Sequence, residues 1–207
     1  MAFINYVTQI QIDFGAIQLL KQECERVGIH KPLIVTDQGV KAAGVLQKAL
    51  DALPGVQVAV FDQTPSNPTE AAVRAATEVY KANGCDGLIA VGGGSSIDCA
   101  KCVSIAVSHE GPLKTYATIE GGSLKITDRV APLIAVPTTS GTGSEVARGA
   151  ILIVDEPAAP DFQFPAFEAY AGAVARWCTS ALKFQVFDHK VAVANHPDCF
   201  TFGVFSR

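Results

Sequence analysis

The sequence predicts a doubly wound α/β fold: a parallel sheet with helices on both faces. Two observations carry the expectation. Short apolar runs alternate with helical patterns through residues 1–154, as βαβ units require, and two of those runs end abruptly in glycine- and hydroxyl-rich loops. In chain order, Ile10 to Phe14 reads as an edge strand and Ile17 to Val27 as a helix. Leu33-Ile-Val35 reads as a buried strand, Val40 to Leu53 as a helix, and Val56 to Phe61 as a strand. Thr64-Pro-Ser-Asn-Pro-Thr69 is a turn that delivers an N-capped helix from Glu70 to about Asn83. Leu88 to Val91 is a third parallel strand and Ile97 to Ala106 the helix after it. Leu133 to Val136 and Ile151 to Val154 are further strands.

Beyond residue 154 the composition changes. Residues 1–154 hold 16 of the 18 glycines and three of the 11 phenylalanines; the remaining eight phenylalanines lie in residues 155–207. Pro157, Pro160 and Pro165 break helices there, Ala166 to Leu182 reads as one helix, and Phe200 to Phe205 as an aromatic strand. The expected organisation is an α/β domain over 1–154 and an atypical Phe/Pro-rich tail over 155–207.

The whole chain has 207 residues, 16 Lys+Arg against 20 Asp+Glu for a net charge of −4, and 49% hydrophobic residues. That composition excludes a disordered or fibrous chain. Without a basic run, no nucleic-acid or anionic-membrane partner is expected. No apolar stretch reaches the roughly 20 residues of a spanning helix, and Met1-Ala-Phe-Ile-Asn lacks a signal peptide's basic flank, so a cytoplasmic location is expected. The six cysteines read as reduced. The Cys99-Ala-Lys-Cys102 pair has redox or zinc spacing, but it sits in an apolar-periodic segment without a second pair, which favours two small residues on a packed helix.

Three loops carry candidate chemistry. Val91 leads straight into Gly92-Gly-Gly-Ser-Ser-Ile-Asp98, where glycines let a ligand approach the backbone and the opening helix turn aims unpaired N–H groups at it. That makes an anion site suited to a pyrophosphate, although the G-x-G-x-x-G fingerprint is not met. Pro137-Thr-Thr-Ser-Gly-Thr-Gly-Ser-Glu145 repeats the logic at the next strand end, with five hydroxyls and two glycines after Pro137. Asp37, just past a strand end, is placed to bond an adenosine ribose and repel a 2′-phosphate, favouring NAD over NADP.

Gly92-Gly-Gly-Ser-Ser-Ile-Asp98, Pro137-Thr-Thr-Ser-Gly-Thr-Gly-Ser-Glu145 and Asn67-Pro-Thr69 together resemble the iron-containing (group III) alcohol dehydrogenase family, of the lactaldehyde reductase and 1,3-propanediol dehydrogenase type. The resemblance implies a Rossmann-like N-terminal dinucleotide-binding domain, here residues 1–154, an all-helical C-terminal domain, and hydride transfer between NAD(P) and an alcohol or aldehyde at Fe²⁺ or another divalent metal. Carried over by motif, Asp37 faces the ribose, Gly93, Gly94 and Ser95 the pyrophosphate, Thr138, Thr139 and Thr142 the phosphate and nicotinamide side, and Asn67 the same cleft. Asp98 closes the glycine motif and belongs to the candidate cofactor set.

The family's metal is held by an Asp and three His, the first two spaced D-x-x-x-H. This sequence has only His30, His109, His189 and His196 and no D-x-x-x-H, so no metal ligands are assigned. Asp161 to Tyr170 is similar to the family's metal helix, with Pro165 where its first histidine stands; chance similarity is the favoured explanation. His189 and His196 could share a helix face, but Pro197 and the missing third partner favour solvated or packed histidines. Family chains are roughly twice this length, so truncation or a frame change is the expected origin of the tail, with impaired catalysis. The alternative is a non-catalytic NAD-binding fragment. Glycerol dehydrogenases and dehydroquinate synthases share the sheet but match the 137–145 loop less well. A sheet face left without a helical domain predicts association between copies.

Overall fold

The computed structural model describes residues 10–117, 121–147, 149–153, 170–174, 181–187 and 190–196. Its described strands form a seven-stranded sheet and a separate two-stranded ladder. The sheet is built on four parallel strands, β2 (Pro32–Val35), β3 (Ala59–Phe61), β4 (Gly87–Gly92) and β5 (Leu133–Pro137), in the order β5-β4-β2-β3. β1 (Ile10–Phe14) lies at the far edge, as expected of an edge strand.

Alternation along the strands creates two cores. Leu33, Val35, Leu88, Ala90, Leu133 and Ala135 face one side, with Val73 and Ala76 of α4 (Glu70–Ala82) and Ile97, Ala100 and Val103 of α5 (Gly94–Ser108). Ile34, Ile89, Val91, Ile134 and Val136 face the other, with Leu20 and Cys24 of α1 (Leu20–Val27) and Leu46 and Ala49 of α3 (Val45–Asp51). Every residue of β2, β4 and β5 is buried. This is the signature of a parallel sheet covered on both faces. In-register pairing of Leu88 with Leu133 through Val91 with Val136 sets the two outward-winding loops level.

The expected helix from Val40 to Leu53 is broken in two. α2 (Gln38–Ala42) ends before Gly44, whose φ of 73° turns the chain into α3. Likewise, the helix expected from Ile17 begins as a 3₁₀ turn over Ala16–Leu19 before α1. Thr69 caps α4 as the turn chemistry required, its hydroxyl accepting the Ala72 amide at 3.2 Å.

Two expectations are corrected. The strand expected at Ile151 to Val154 is β6 (Gly149–Ile153), but it leaves the parallel sheet and pairs antiparallel with β7 (Tyr170–Val174). The reason lies on α5, where Asp98 accepts the Ile151 amide at 3.0 Å and Lys101 binds the Gly149 carbonyl at 2.6 Å, drawing β6 over the helix. The helix expected from Ala166 to Leu182 is contradicted by β7 and by β8 (Ala181–Phe187). Gly172 weakens helix there, and the open ladders of β6 and β5 supply backbone partners instead. β9 (Lys190–His196) then pairs antiparallel with β8 and β1, so two strands from beyond residue 154 join the main sheet. Phe200 to Phe205 and residues 161–169 lie outside the described residues.

Replacing Thr69 by Ala removes the α4 cap without disturbing either core. A loss of about 1 kcal/mol in unfolding free energy is expected, read as a lower urea midpoint at unchanged slope.

Candidate functional site

Winding reverses between β2 and β4. The chain leaves β2 toward β3 on one side and leaves β4 toward β5 on the other, so the carboxyl ends of these neighbours diverge. Open α/β sheets bind ligands in the crevice such a divergence leaves. A cleft of about 750 Å³ lies there, lined by residues that follow β2, β3, β4 and β5.

Each wall has a local cause. Asp37 follows β2 and caps α2, its Oδ1 accepting the Val40 amide at 2.9 Å, while Oδ2 accepts the Ser96 hydroxyl at 3.2 Å. That second bond passes where Gly92 has no side chain: a Cβ on Gly92 would stand 2.3 Å from Ser96 Oγ. Val40, Ala43 and Val45 add an apolar face beside Asp37. Opposite, Gly93 begins α5 with no side-chain cap, so the first-turn amides lack intrahelical acceptors. A Cβ on Gly93 would meet Thr139 Oγ1 at 3.1 Å, and one on Gly94 would meet Ser144 Oγ at 2.9 Å. Glycine here lets two loops touch and keeps the turn open. The Thr138 amide donates to the Gly92 carbonyl at 2.9 Å, fixing the second loop to the first.

Of the candidates named from sequence, the structure brings Asp37, Gly93, Gly94, Ser95, Thr138 and Thr139 into the lining of one cleft. Ser95 also donates its hydroxyl to the Ser66 carbonyl, tying the turn before α4 to α5. Asn67 is exposed beside that turn and is outside the lining. Thr142 is exposed one step away, its hydroxyl donating to Glu145 at 3.3 Å. Asp98 is buried on α5, bonded to the Ile151 amide and facing Lys101. Sequence reasoning named none of Ser96, Lys101 and Thr64 as candidates, and Thr64 is part of the cleft lining. The signal for Lys101 was present as a cation three residues after an acid in an apolar helix.

Cys99 and Cys102 are both fully buried on α5. Burial pushes the Cys99 thiol up from the ordinary 9.0 to about 12, Asp98 adding to it against a hydrogen bond from Thr64, and raises Cys102 well above its usual range. Neither is a thiolate, so the pair is packing. No three His, Cys, Asp or Glu side chains converge on a metal-sized site among the described residues. His30 stands beside Asp86 at 3.3 Å, and His109 lies between Ser108 and Thr127. His196 falls on strand β9 and not on a helix, and His189 lies outside the described residues.

A parallel sheet wound both ways from β2 and β4, with a glycine cradle and an acid at the divergence, defines a doubly wound α/β domain with an open cleft at its switch point. The chain belongs to the iron-containing alcohol dehydrogenase family, whose model matches residues 8–163. It is 70% identical over 156 residues to 4-hydroxybutyrate dehydrogenase of Cupriavidus necator, covering 75% of this chain and 41% of that protein. It is 42% identical over 142 residues to 1,3-propanediol dehydrogenase of Citrobacter freundii, covering 67% and 36%. Among solved structures, a 1,3-propanediol oxidoreductase superposes with a TM-score of 0.65 at 36% identity, over 74% of this chain and 40% of that one. Sulfoacetaldehyde reductase from Bifidobacterium kashiwanohense, in complex with NAD⁺, gives 0.68 at 28% identity, over 84% and 43%. The chain thus spans about two fifths of the length of these relatives.

The raised thiols fix the sign of an alkaline response. Cys24 and Cys99 hold their protons to about 12 in the folded chain, through burial above all, against an ordinary 9.0. The folded state therefore binds more protons than the unfolded state above pH 9, and stability falls as pH rises from about 9 toward 12. Lys101, lowered by burial, acts with the opposite sign but is one group against several. Urea midpoints that decline across this window are expected, and alkylation at pH 8 should spare Cys24, Cys99 and Cys102 until the chain unfolds.

Proposed function

We propose that the chain binds NAD in the cleft between β2 and β4 and descends from an alcohol dehydrogenase that transfers hydride between NAD(H) and an alcohol or aldehyde. The carrying observation is the open turn at Gly93 and Gly94, a cradle that Cβ atoms would fill, facing Asp37 across the cleft. In this reading Val40, Ala43 and Val45 receive the adenine, Asp37 the ribose hydroxyls, and Gly93, Gly94 and Ser95 the pyrophosphate. Thr138, Thr139 and Thr142 meet the nicotinamide half, with Asn67 at the rim, while Asp98 supports the helix from below. NAD, when bound, supplies the hydride acceptor; the chain's own residues bind and orient it. The negative Asp37, already committed to Val40 and Ser96, disfavours a 2′-phosphate and so NADP.

The described residues do not fit the divalent metal that the family name implies, and this reading assigns the chain no metal-dependent step. That observation favours a second reading, an NAD-binding fragment without catalysis. Residues 1–154, which hold every named site residue, are proposed as the cofactor domain, with 155–207 a tail of separate character. Among the described residues no helix is long and apolar enough to cross a membrane. We further propose a cytoplasmic chain that takes a small alcohol or aldehyde and associates with copies of itself; the net charge of −4 supports the absence of a nucleic-acid partner.

Titration with NADH should give a saturable fluorescence change; none up to millimolar cofactor would overturn the proposal. Alcohol oxidation that appears on adding Fe²⁺ or Zn²⁺ would favour the enzyme over the fragment. Asp37→Asn keeps the α2 cap but removes the charge, and should narrow the preference for NADH over NADPH by about tenfold, read as a ratio of dissociation constants.

A further inference from the structure

α5 carries a lysine at a wholly buried position. Lys101 is 0% exposed, and lysine is almost never found so unless it is paired. Its Nζ donates to the carbonyls of Ser144 at 2.6 Å, Ala147 at 3.0 Å and Gly149 at 2.6 Å, and stands 3.4 Å from Asp98 Oδ1. An ammonium has three N–H donors, so three carbonyls of one segment saturate it. Burial draws its pKa below the ordinary 10.5, while Asp98 of its own helix and Glu145 of the loop hold the proton on.

The clamped segment is the far end of the hydroxyl loop. Thr138 anchors the near end to the Gly92 carbonyl, and Ser144 anchors the other end to Lys101. Between them, Ser144 donates its amide to Thr142 Oγ1 at 3.3 Å, and its own hydroxyl occupies the space a Gly94 side chain would need. Lys101 itself lies outside the cleft lining. Both ends of the loop are therefore tied to a single strand-turn-helix unit, the one that presents the glycine turn.

We infer that Lys101 is a positioning residue for the cofactor: its ammonium fixes the 138–144 wall against the glycine turn without touching the ligand. The inference rests on the cofactor reading above. A neutral apolar side chain at this site leaves three carbonyls without a donor and Asp98 without its counter-charge, so the wall loosens while the sheet beneath it persists.

Lys101→Met, and Asp98→Asn/Lys101→Met as a charge-balanced second variant, test it through two readouts. Amide hydrogen exchange over 138–149 without ligand should rise relative to β2 and β4, and NADH affinity should fall by about tenfold. In the unaltered chain, NADH affinity should decline at alkaline pH, below the ordinary lysine value of 10.5, as the lysine loses its proton, and this limb should be absent in the variants. A folded variant with loop exchange and NADH affinity within about twofold of the parent would overturn the inference. If neither variant folds, a flat alkaline profile in the parent chain would do the same. A parent chain that binds no NADH, in which Lys101→Met still loosens the loop, would sink the cofactor reading while leaving the clamp established.

Discussion

The reversal of winding between β2 and β4 is the constraint on which the rest depends. Two parallel neighbours whose connections depart in opposite directions cannot cover their own carboxyl ends, so the sheet opens there and nowhere along its buried interior. Everything polar that matters to the site hangs from that opening. Asp37 caps the helix that departs one way, and Gly93 starts the helix that departs the other way. The Ser96 hydroxyl bridges the two departures, across a gap that exists because Gly92 has no side chain.

The buried pair Asp98 and Lys101 extends this arrangement outward. One helix face supplies an acceptor for the Ile151 amide and a donor set for three carbonyls, so a segment that could have continued the parallel sheet is instead held over α5. Desolvating both charges is costly, and the cost is offset by full hydrogen bonding rather than by the ion pair alone, whose 3.4 Å separation is loose. The same bonds explain why β6 pairs with β7 and leaves the flank of β5 to β8.

Much of the parallel core was legible because its signals are local. Leu33-Ile-Val35 and Leu88 to Val91 are continuous apolar runs, and Thr69 is a cap residue in a cap position. Six of nine candidate residues line one cleft, since the loops that follow parallel strands all leave from the same edge of the sheet. What could not be read depended on pairing across distance. Ser96 meets Asp37 across 59 residues, and Lys101 meets Gly149 across 48, neither of which leaves a periodic trace. The expected helix from Ala166 to Leu182 failed because alanine-rich composition speaks for helix until a neighbouring ladder is available to a Gly-containing segment.

The two cores carry a consequence for how the chain absorbs change. Leu33 and Ile34 are adjacent in sequence and both fully buried, yet they belong to different clusters separated by the sheet's backbone. Leu33 instead shares its cluster with Val103, 70 positions along the chain. Coupling through packing therefore follows sheet face rather than sequence distance: truncations on one face, however remote along the chain, interact through the repacking they share.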